Sequence, residues 1–152
     1  MTGMSSMPVR TTRVAAYALC LEGPRVLLAR CGSPNRPVWT LPGGAVEFGE
    51  DPPDAVRREV LVGTGLVVQL AQVIGIDSMH SSTPVSARRR VQHETHGVRI
   101  VYAGRVVGGL APLIGARADE RFAWVMADEL TGRRRAELVD TAVGWSRVLS
   151  HC

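Results

Sequence analysis

The stretch LPGGAVEFGE, residues 41–50, runs directly into DPPDAVRREVLVGTGL, residues 51–66, and its reading decides the fold. Pro42, Gly43 and Gly44 stop a short strand and allow backbone to approach another group closely. Ala45 to Phe48 reads as a brief extended piece before Gly49, Glu50 and Asp51. Asp51 suits an N-cap, Pro52 and Pro53 suit a first helical turn, and Asp54 favours the positive end of the helix dipole. The helix is expected to run to about Thr64, with Gly65 as a left-handed stop. Residues three and four apart on a helix are neighbours, so Glu59 shares a face with Val62 and Gly63. A glycine-rich turn thus feeds a helix N-terminus, where anions are favoured, with carboxylates before and on the helix.

Outward from this segment the pattern alternates between strands and turns. Thr12 to Leu21 and Arg25 to Arg30 are apolar runs joined at Glu22-Gly23-Pro24, which predicts a hairpin. Cys31 to Pro37 reads as a polar loop and Val38 to Leu41 as a short strand. Val67 to Asp77 is a long strand pattern, and Ser78 to Thr95 an unusually long polar loop. His96 to Val107 is strand-like, Leu110 to Arg121 irregular, and Phe122 to Met126 a further strand. Arg134 to Leu149 predicts an amphipathic terminal helix with Leu138, Ala142, Trp145 and Leu149 along one side. Strands, helix, strands, helix imply an α+β fold, an α/β/α sandwich with a mixed sheet between helices.

The chain has 152 residues, enough for one domain with a sizeable core. Residues 1–10 are expected to be a flexible tail and 11–152 a single domain. The start, Met1 to Pro8, is small and polar without a leader-like apolar core, so the expected location is cytoplasmic. No window approaches the ~18 consecutive apolar residues of a membrane helix, so no membrane partner is expected. Cys20, Cys31 and Cys152 are widely spaced and odd in number, against a disulfide framework or a zinc knuckle. Cys20 reads as core, and Cys31 as inert or close to a pocket.

All 18 basic residues are arginine and the net charge is +4. Arginine's planar fork suits phosphates and carboxylates. The charge is spread over several segments, and three Trp, two Tyr and two Phe nowhere interleave with a basic patch. Nucleic acid is therefore not an expected partner; a small-molecule substrate is. The exposed face of the long strands could support a homodimer.

At the residues of the opening segment the chain resembles the Nudix hydrolase superfamily. The family's box reads Gly, five residues, Glu, seven residues, Arg-Glu, hydrophobic, any, Glu-Glu, any, Gly, hydrophobic. Gly44, Glu50, Arg58, Glu59, Val60, Gly65 and Leu66 match it, and Leu41-Pro42-Gly43 also looks like this family. Matches at fixed spacing over such a length are far more specific than a lone glycine motif. Val62 and Gly63 stand where the family has its two consecutive glutamates, so the box is degenerate. In the family those carboxylates hold magnesium or manganese, which bridges a diphosphate and activates water. Valine supplies no oxygen and glycine no side chain, whereas a hard cation needs oxygen ligands.

The resemblance implies a site built on Glu59, with Glu50 and His96 as further catalytic candidates. Glu59 could be a metal ligand, a general acid or base, or a salt-bridged surface residue. Burial would raise its pKa and fewer neighbouring carboxylates would lower it. Trp39, Gly43, Gly44, Glu47 and Arg58 are the substrate-binding candidates. Arg58 is read as a brace behind the site or as an exposed arginine, Glu47 as facing pocket or solvent, and Trp39 as lining the site or packing in the core. Trp124 and Trp145 are assigned to packing. If a metal binds, Glu59 and Glu120 are its expected ligands, with Asp77 and Glu94 as further acids flanking the long loop. Arg88 to Arg90 could clamp phosphate oxygens or simply face water, and His93 and His96 could shuttle protons.

These readings imply a Nudix-fold enzyme that has lost its usual metal site and does acid–base or other non-standard chemistry on a small molecule, in a biosynthetic setting. One alternative is a magnesium- or manganese-dependent hydrolase of nucleoside diphosphate-linked substrates with relocated ligands. Another is a non-catalytic ligand-binding module.

Overall fold

The computed structural model describes residues 7–84, 92–109 and 121–151. Strands β1 (Val9–Glu22), β2 (Arg25–Ser33), β3 (Arg36–Thr40) and β4 (Gly43–Ala45) precede helix α1 (Pro52–Thr64). Strands β5 (Leu66–Pro84), β6 (Gln92–Gly109) and β7 (Phe122–Met126) follow. A short 3-10 helix, Ala127–Gly132, then leads to helix α2 (Glu137–Ser150). The strands form one mixed sheet in the order β3-β2-β1-β6-β5, with β4 on β1 and β7 on β2. The long central pairing is parallel, Val9 to Cys20 of β1 against His93 to Gly104 of β6. The expected α+β architecture, a mixed sheet between helices, is the one found.

Successive strand residues point to opposite faces, and each face of β1 buries a different helix. Ala16, Ala18 and Cys20 meet Val56 and Val60 of α1, along with Leu27 and Val68. Leu19, with Tyr17 beside it, meets Leu138, Val139, Ala142 and Val143 of α2. Val56 and Val60 are fully buried; each such side chain contributes about 2 kcal/mol. On α2 the stripe is Leu138, Val139, Ala142 and Val143, and Leu149 is exposed instead of packed.

The helix signals of the opening segment hold in detail. Asp51 is the N-cap in extended conformation, although its side chain makes no capping bond, and the prolines occupy the first positions. Gly65 is left-handed at φ 76° and its N–H donates to the Leu61 carbonyl. The Thr64 hydroxyl closes the end, donating to the Val60 carbonyl at 2.6 Å and accepting from the Leu66 N–H.

Five expectations need correction. Cys31 to Pro37 is not a loop: β2 continues to Ser33 and β3 starts at Arg36, with Ser33 opposite Arg36. Pro37 fits because β3 ends the row of strands, where a missing N–H costs little. The extended piece lies at Gly43–Ala45 rather than Ala45 to Phe48, because Gly43 and Gly44 pair with Tyr17 and Ala16. The polar stretch after Asp77 is largely strand, with β5 running to Pro84 and β6 starting at Gln92. Its serines, threonines and histidines face one another across the hairpin, where polar cross-strand pairs replace apolar alternation. Residues 85–91 of that stretch, including Arg88 to Arg90, and residues 110–120 lie outside the described residues. Finally, α2 starts at Glu137, because Arg134 and Ala136 instead bond to the backbone of Trp39. At the N-terminal end, β1 begins at Val9, two residues inside the stretch read as a tail.

Candidate functional site

The site begins with two glycines. Gly43 has φ 144°, a conformation L side chains rarely adopt, and a Cβ there would meet the Ala16 carbonyl oxygen and sit 2.6 Å from Tyr17 Cα. The turn therefore lies flat against β1. A Cβ on Gly44 would come within 2.9 Å of both Cδ and Oε2 of Glu59. The Glu59 carboxylate thus rests directly on the Gly44 backbone, where no other residue leaves room for it.

Arg58 organises the carboxylates around this turn. Its Nε and Nη2 donate to the two oxygens of Glu50 at 2.8 and 2.9 Å, a bidentate pair. Its Nη1 donates to Glu59 Oε1 at 2.7 Å, and Nη2 also reaches the Ala45 carbonyl at 3.0 Å. Glu50 Oε1 further accepts from the Glu47 N–H at 3.1 Å. These bonds, the arginine's first, hold the Glu50 carboxyl down at about 2, against an ordinary 4.5. Glu50 in turn, with Glu59, raises the Arg58 guanidinium above its usual range. Glu50 is therefore an anion bound on both oxygens, and Glu59 keeps Oε2 clear of the arginine.

The sequence candidates separate on this geometry. Gly44, Glu50, Arg58 and Glu59 come together. Glu47 sits at their rim, 3.7 Å from Arg58 with 69% of its side chain exposed, so it leans towards solvent. Gly43 supports the turn. Trp39 packs against the α2 core, with the Arg133 guanidinium 5.0 Å from its ring centre. His96 stands apart, opposite His80 on β5 and beside Thr12 on β1. It lies about 13 Å along β6 from Ile100, the residue level with Ala16 and Gly44. Glu120 lies outside the described residues. Of the other acids, Glu94 pairs with Arg10 at 2.7 Å, and Asp77 belongs to a second cluster. Cys31 is exposed, with its thiol on the Val38 carbonyl and its pKa pushed up by burial. Burial raises Cys20 to about 11.

That second cluster was not foreseen. Arg99 is buried, and its Nε and Nη2 donate to both oxygens of Asp77 at 2.7 Å each. Nη2 also reaches Glu137, in the first turn of α2, at 3.1 Å. Asp77, expected as an acid flanking the long loop, is thus half of a bidentate pair within the sheet. The available signal was Arg99 itself, a charge inside the apolar run Val98 to Val101 at a position that must face the protein. Tyr17 was also missed. Burial raises its hydroxyl pKa, against the opposing pull of Arg99, and the charges of Cys31, Glu59 and Asp77 raise it further.

Among the described residues no group of three or more His, Cys, Asp or Glu is arranged to hold a metal ion. No helix among them is long and apolar enough to cross a membrane.

Comparison with known proteins places this geometry. An ADP-ribose pyrophosphatase of Methanocaldococcus jannaschii is 32% identical over 84 residues, 55% of this chain and 44% of its own length. A putative 8-oxo-dGTP diphosphatase of Bacillus subtilis is 33% identical over 97 residues, 63% of this chain and 55% of its own. The chain spans about half the length of these curated relatives. A NUDIX hydrolase structure from Nitrosomonas europaea superposes with TM-score 0.68 at 22% identity, over 91% of this chain and 90% of its own. A MutT protein from Methanosarcina mazei superposes with TM-score 0.61 at 21% identity, covering 91% and 95%. At such identities these structures establish the fold alone. The NUDIX domain model matches residues 11–144, a span holding both glycines, the Arg58 cluster and most of α2, and on that match the chain belongs to the Nudix family.

Proposed function

We propose that this chain is a Nudix-fold enzyme whose usual divalent-metal site has been lost, and that it performs acid–base or other non-standard chemistry on a small molecule, in a biosynthetic setting. The observation that carries this reading is the occupancy of its carboxylate oxygens. Both Glu50 oxygens and one Glu59 oxygen accept from Arg58. Val62 offers no oxygen and is 71% exposed, and Gly63 has open space where a side chain would be. What remains on the helix is Glu59 Oε2. Magnesium demands near-octahedral oxygen coordination, and this donor set does not fit it. A single carboxylate oxygen held over a glycine is suited to taking or giving one proton. A cytoplasmic location and pairing of two copies belong to the same reading.

The test is a manganese titration followed by electron spin resonance, with the variant Val62→Glu/Gly63→Glu alongside. The native chain should show no stoichiometric manganese binding. The double variant should gain it, since space is open at both positions. Stoichiometric binding by the native chain would sink the reading.

The names of the relatives favour a second reading, metal-dependent hydrolysis of a nucleoside diphosphate-linked substrate with relocated ligands such as Glu120. It requires magnesium-dependent release of a nucleotide, for instance AMP from ADP-ribose, that disappears in Glu59→Gln.

A further inference from the structure

Leu70 of β5 faces Gly104 of β6 and Val73 faces Tyr102, so Ala71 and Gln72 together oppose Ala103, a β-bulge. A cavity of about 300 Å³ opens at this point, lined by Gln69, Leu70, Ala71, Ala103, Gly104 and Arg105. That is the lower end of the ~300–1,000 Å³ of small-molecule pockets. Leu70 packs with Cys20 in the α1 core, and a Cβ on Gly104 would meet Cys20, Ala18 and Leu70 on that side. Gln69, Ala103 and Arg105 alternate with them and point to the opposite face, so the cavity opens away from α1. The Glu59 site is separate. Arg105 lies five residues, roughly 17 Å, along β6 from Ile100, the residue level with Ala16 and Gly44. Arg105 Nη2 donates to Gln69 Oε1 at 2.7 Å, and the guanidinium makes no other hydrogen bond or ion pair among the described residues. Gln69 thus orients the guanidinium and fills its own acceptor. Whichever Nη2 hydrogen Gln69 accepts, one two-donor edge stays free, either Nε with Nη2 or Nη1 with Nη2.

We propose that this cavity is a second binding site, for a small organic monocarboxylate, with the carboxylate on the free edge of Arg105 and an apolar body against Leu70, Ala71, Ala103 and Gly104. Two coplanar oxygens match a two-donor edge, as a single carbonyl oxygen does not. Arg105 is the one ionised group among the six lining residues, so a cation meets repulsion. Glu22, the acid of β1 closest to this level, is itself met by Arg25 at 3.8 Å. Inorganic phosphate fits the same edge but leaves the apolar walls in water, whereas an aryl or short alkyl group buries them. Ala71, Ala103 and Gly104 carry a methyl group or nothing, which leaves room for such a body at the bulge.

The probe is benzoate, titrated into the full chain while methyl and side-chain amide signals are followed by NMR, with benzamide, benzylamine and inorganic phosphate as counter-probes. Benzoate should shift the Ala71 and Ala103 methyls and the Gln69 amide saturably. It should bind at least about tenfold more tightly than benzamide, which keeps the ring and one carbonyl but lacks the charge. Arg105→Gln should weaken benzoate to the benzamide level; the side chain is exposed, so the fold should persist. Ala103→Leu, which fills the cavity and leaves Arg105 in place, should abolish binding, a loss that ion pairing at a surface arginine alone would not show. The proposal is overturned by any of four results: no saturable shift at these residues; benzamide, benzylamine or phosphate binding as well as benzoate; benzoate binding unchanged in Arg105→Gln or in a folded Ala103→Leu; or shifts confined to Arg58 and Glu59. The last would put the carboxylate at the Arg58 cluster. The chemistry proposed for Glu59 is untouched by any of them.

Discussion

Two arginines in this fold do formally the same thing in opposite settings. Arg58 holds Glu50 in a bidentate pair and reaches a second carboxylate, Glu59; Arg99 holds Asp77 in a bidentate pair and reaches Glu137. The Arg58 partners are one and eight residues away, within one turn and helix. Those of Arg99 are 22 and 38 residues away and join β5, β6 and α2. The Arg58 side chain is 33% exposed and that of Arg99 9%. An arginine–carboxylate pair gains strength as water is excluded, but breaking it there leaves an uncompensated charge. One cluster therefore arranges reactive groups at low cost to the fold, and the other is part of what holds the fold together.

The comparison is broken most directly at the buried member. Arg99→Ala should cost about 3 kcal/mol, because Asp77 is left without its partner inside the protein. That corresponds to a Tm lower by about 6–12 °C in a domain of this size, read by differential scanning calorimetry. An unchanged Tm would mean that the two clusters do not differ in kind.

Arg58→Gln should lower Tm by less than Arg99→Ala, while releasing Glu50. Its carboxyl should rise from about 2 towards the ordinary 4.5, followed by carbon-13 NMR. The sign follows from the depressed folded-state value. In the native chain the Glu50 contribution is fully present above the ordinary carboxylate pKa. It is lost as pH falls towards about 2, so Arg58→Gln should flatten the acid limb of stability. A Glu50 pKa that stays near 2 would assign the depression to the Glu47 N–H instead.

Gly44→Ala sharpens the reactive side further. The new methyl group would press on the far end of a flexible glutamate, not on backbone. The Glu59 carboxyl should move and its NMR signal shift, with Tm changed by no more than about 3 °C. Glu47→Gln, at the exposed rim, should leave Tm within about 1 °C of native, as for most surface ion pairs.

The same contrast explains what could be read from sequence. The glycine turn, the helix start at Pro52 and the stop at Gly65 rest on local backbone preferences, and each was legible. Gly44, Glu50, Arg58 and Glu59 were legible as a group because one short segment carries them all. Asp77, Arg99 and Glu137 were not, because their meeting depends on the register of a hairpin and the docking of a helix. The polar ends of β5 and β6 escaped for a related reason. Their strand character comes from pairing with β1 and with each other, not from apolar alternation. Trp39 and His96 looked equally able to serve the site, and only the ladder shows that His96 stands well along β6 from Gly44.

The parallel pairing of β1 with β6 carries a consequence for how the molecule is made. Arg10 and Glu94, which bond across these strands, are 84 residues apart in the chain. On the ribosome β1 emerges first and must wait for nearly the whole hairpin of β5 and β6 before its central edge is covered. Contacts that distant form late and slow the search for the native state. In the interval an apolar strand with an open edge invites foreign pairing. Yield of this protein should thus depend on how fast translation delivers β6, or on a chaperone that shields β1 until it arrives.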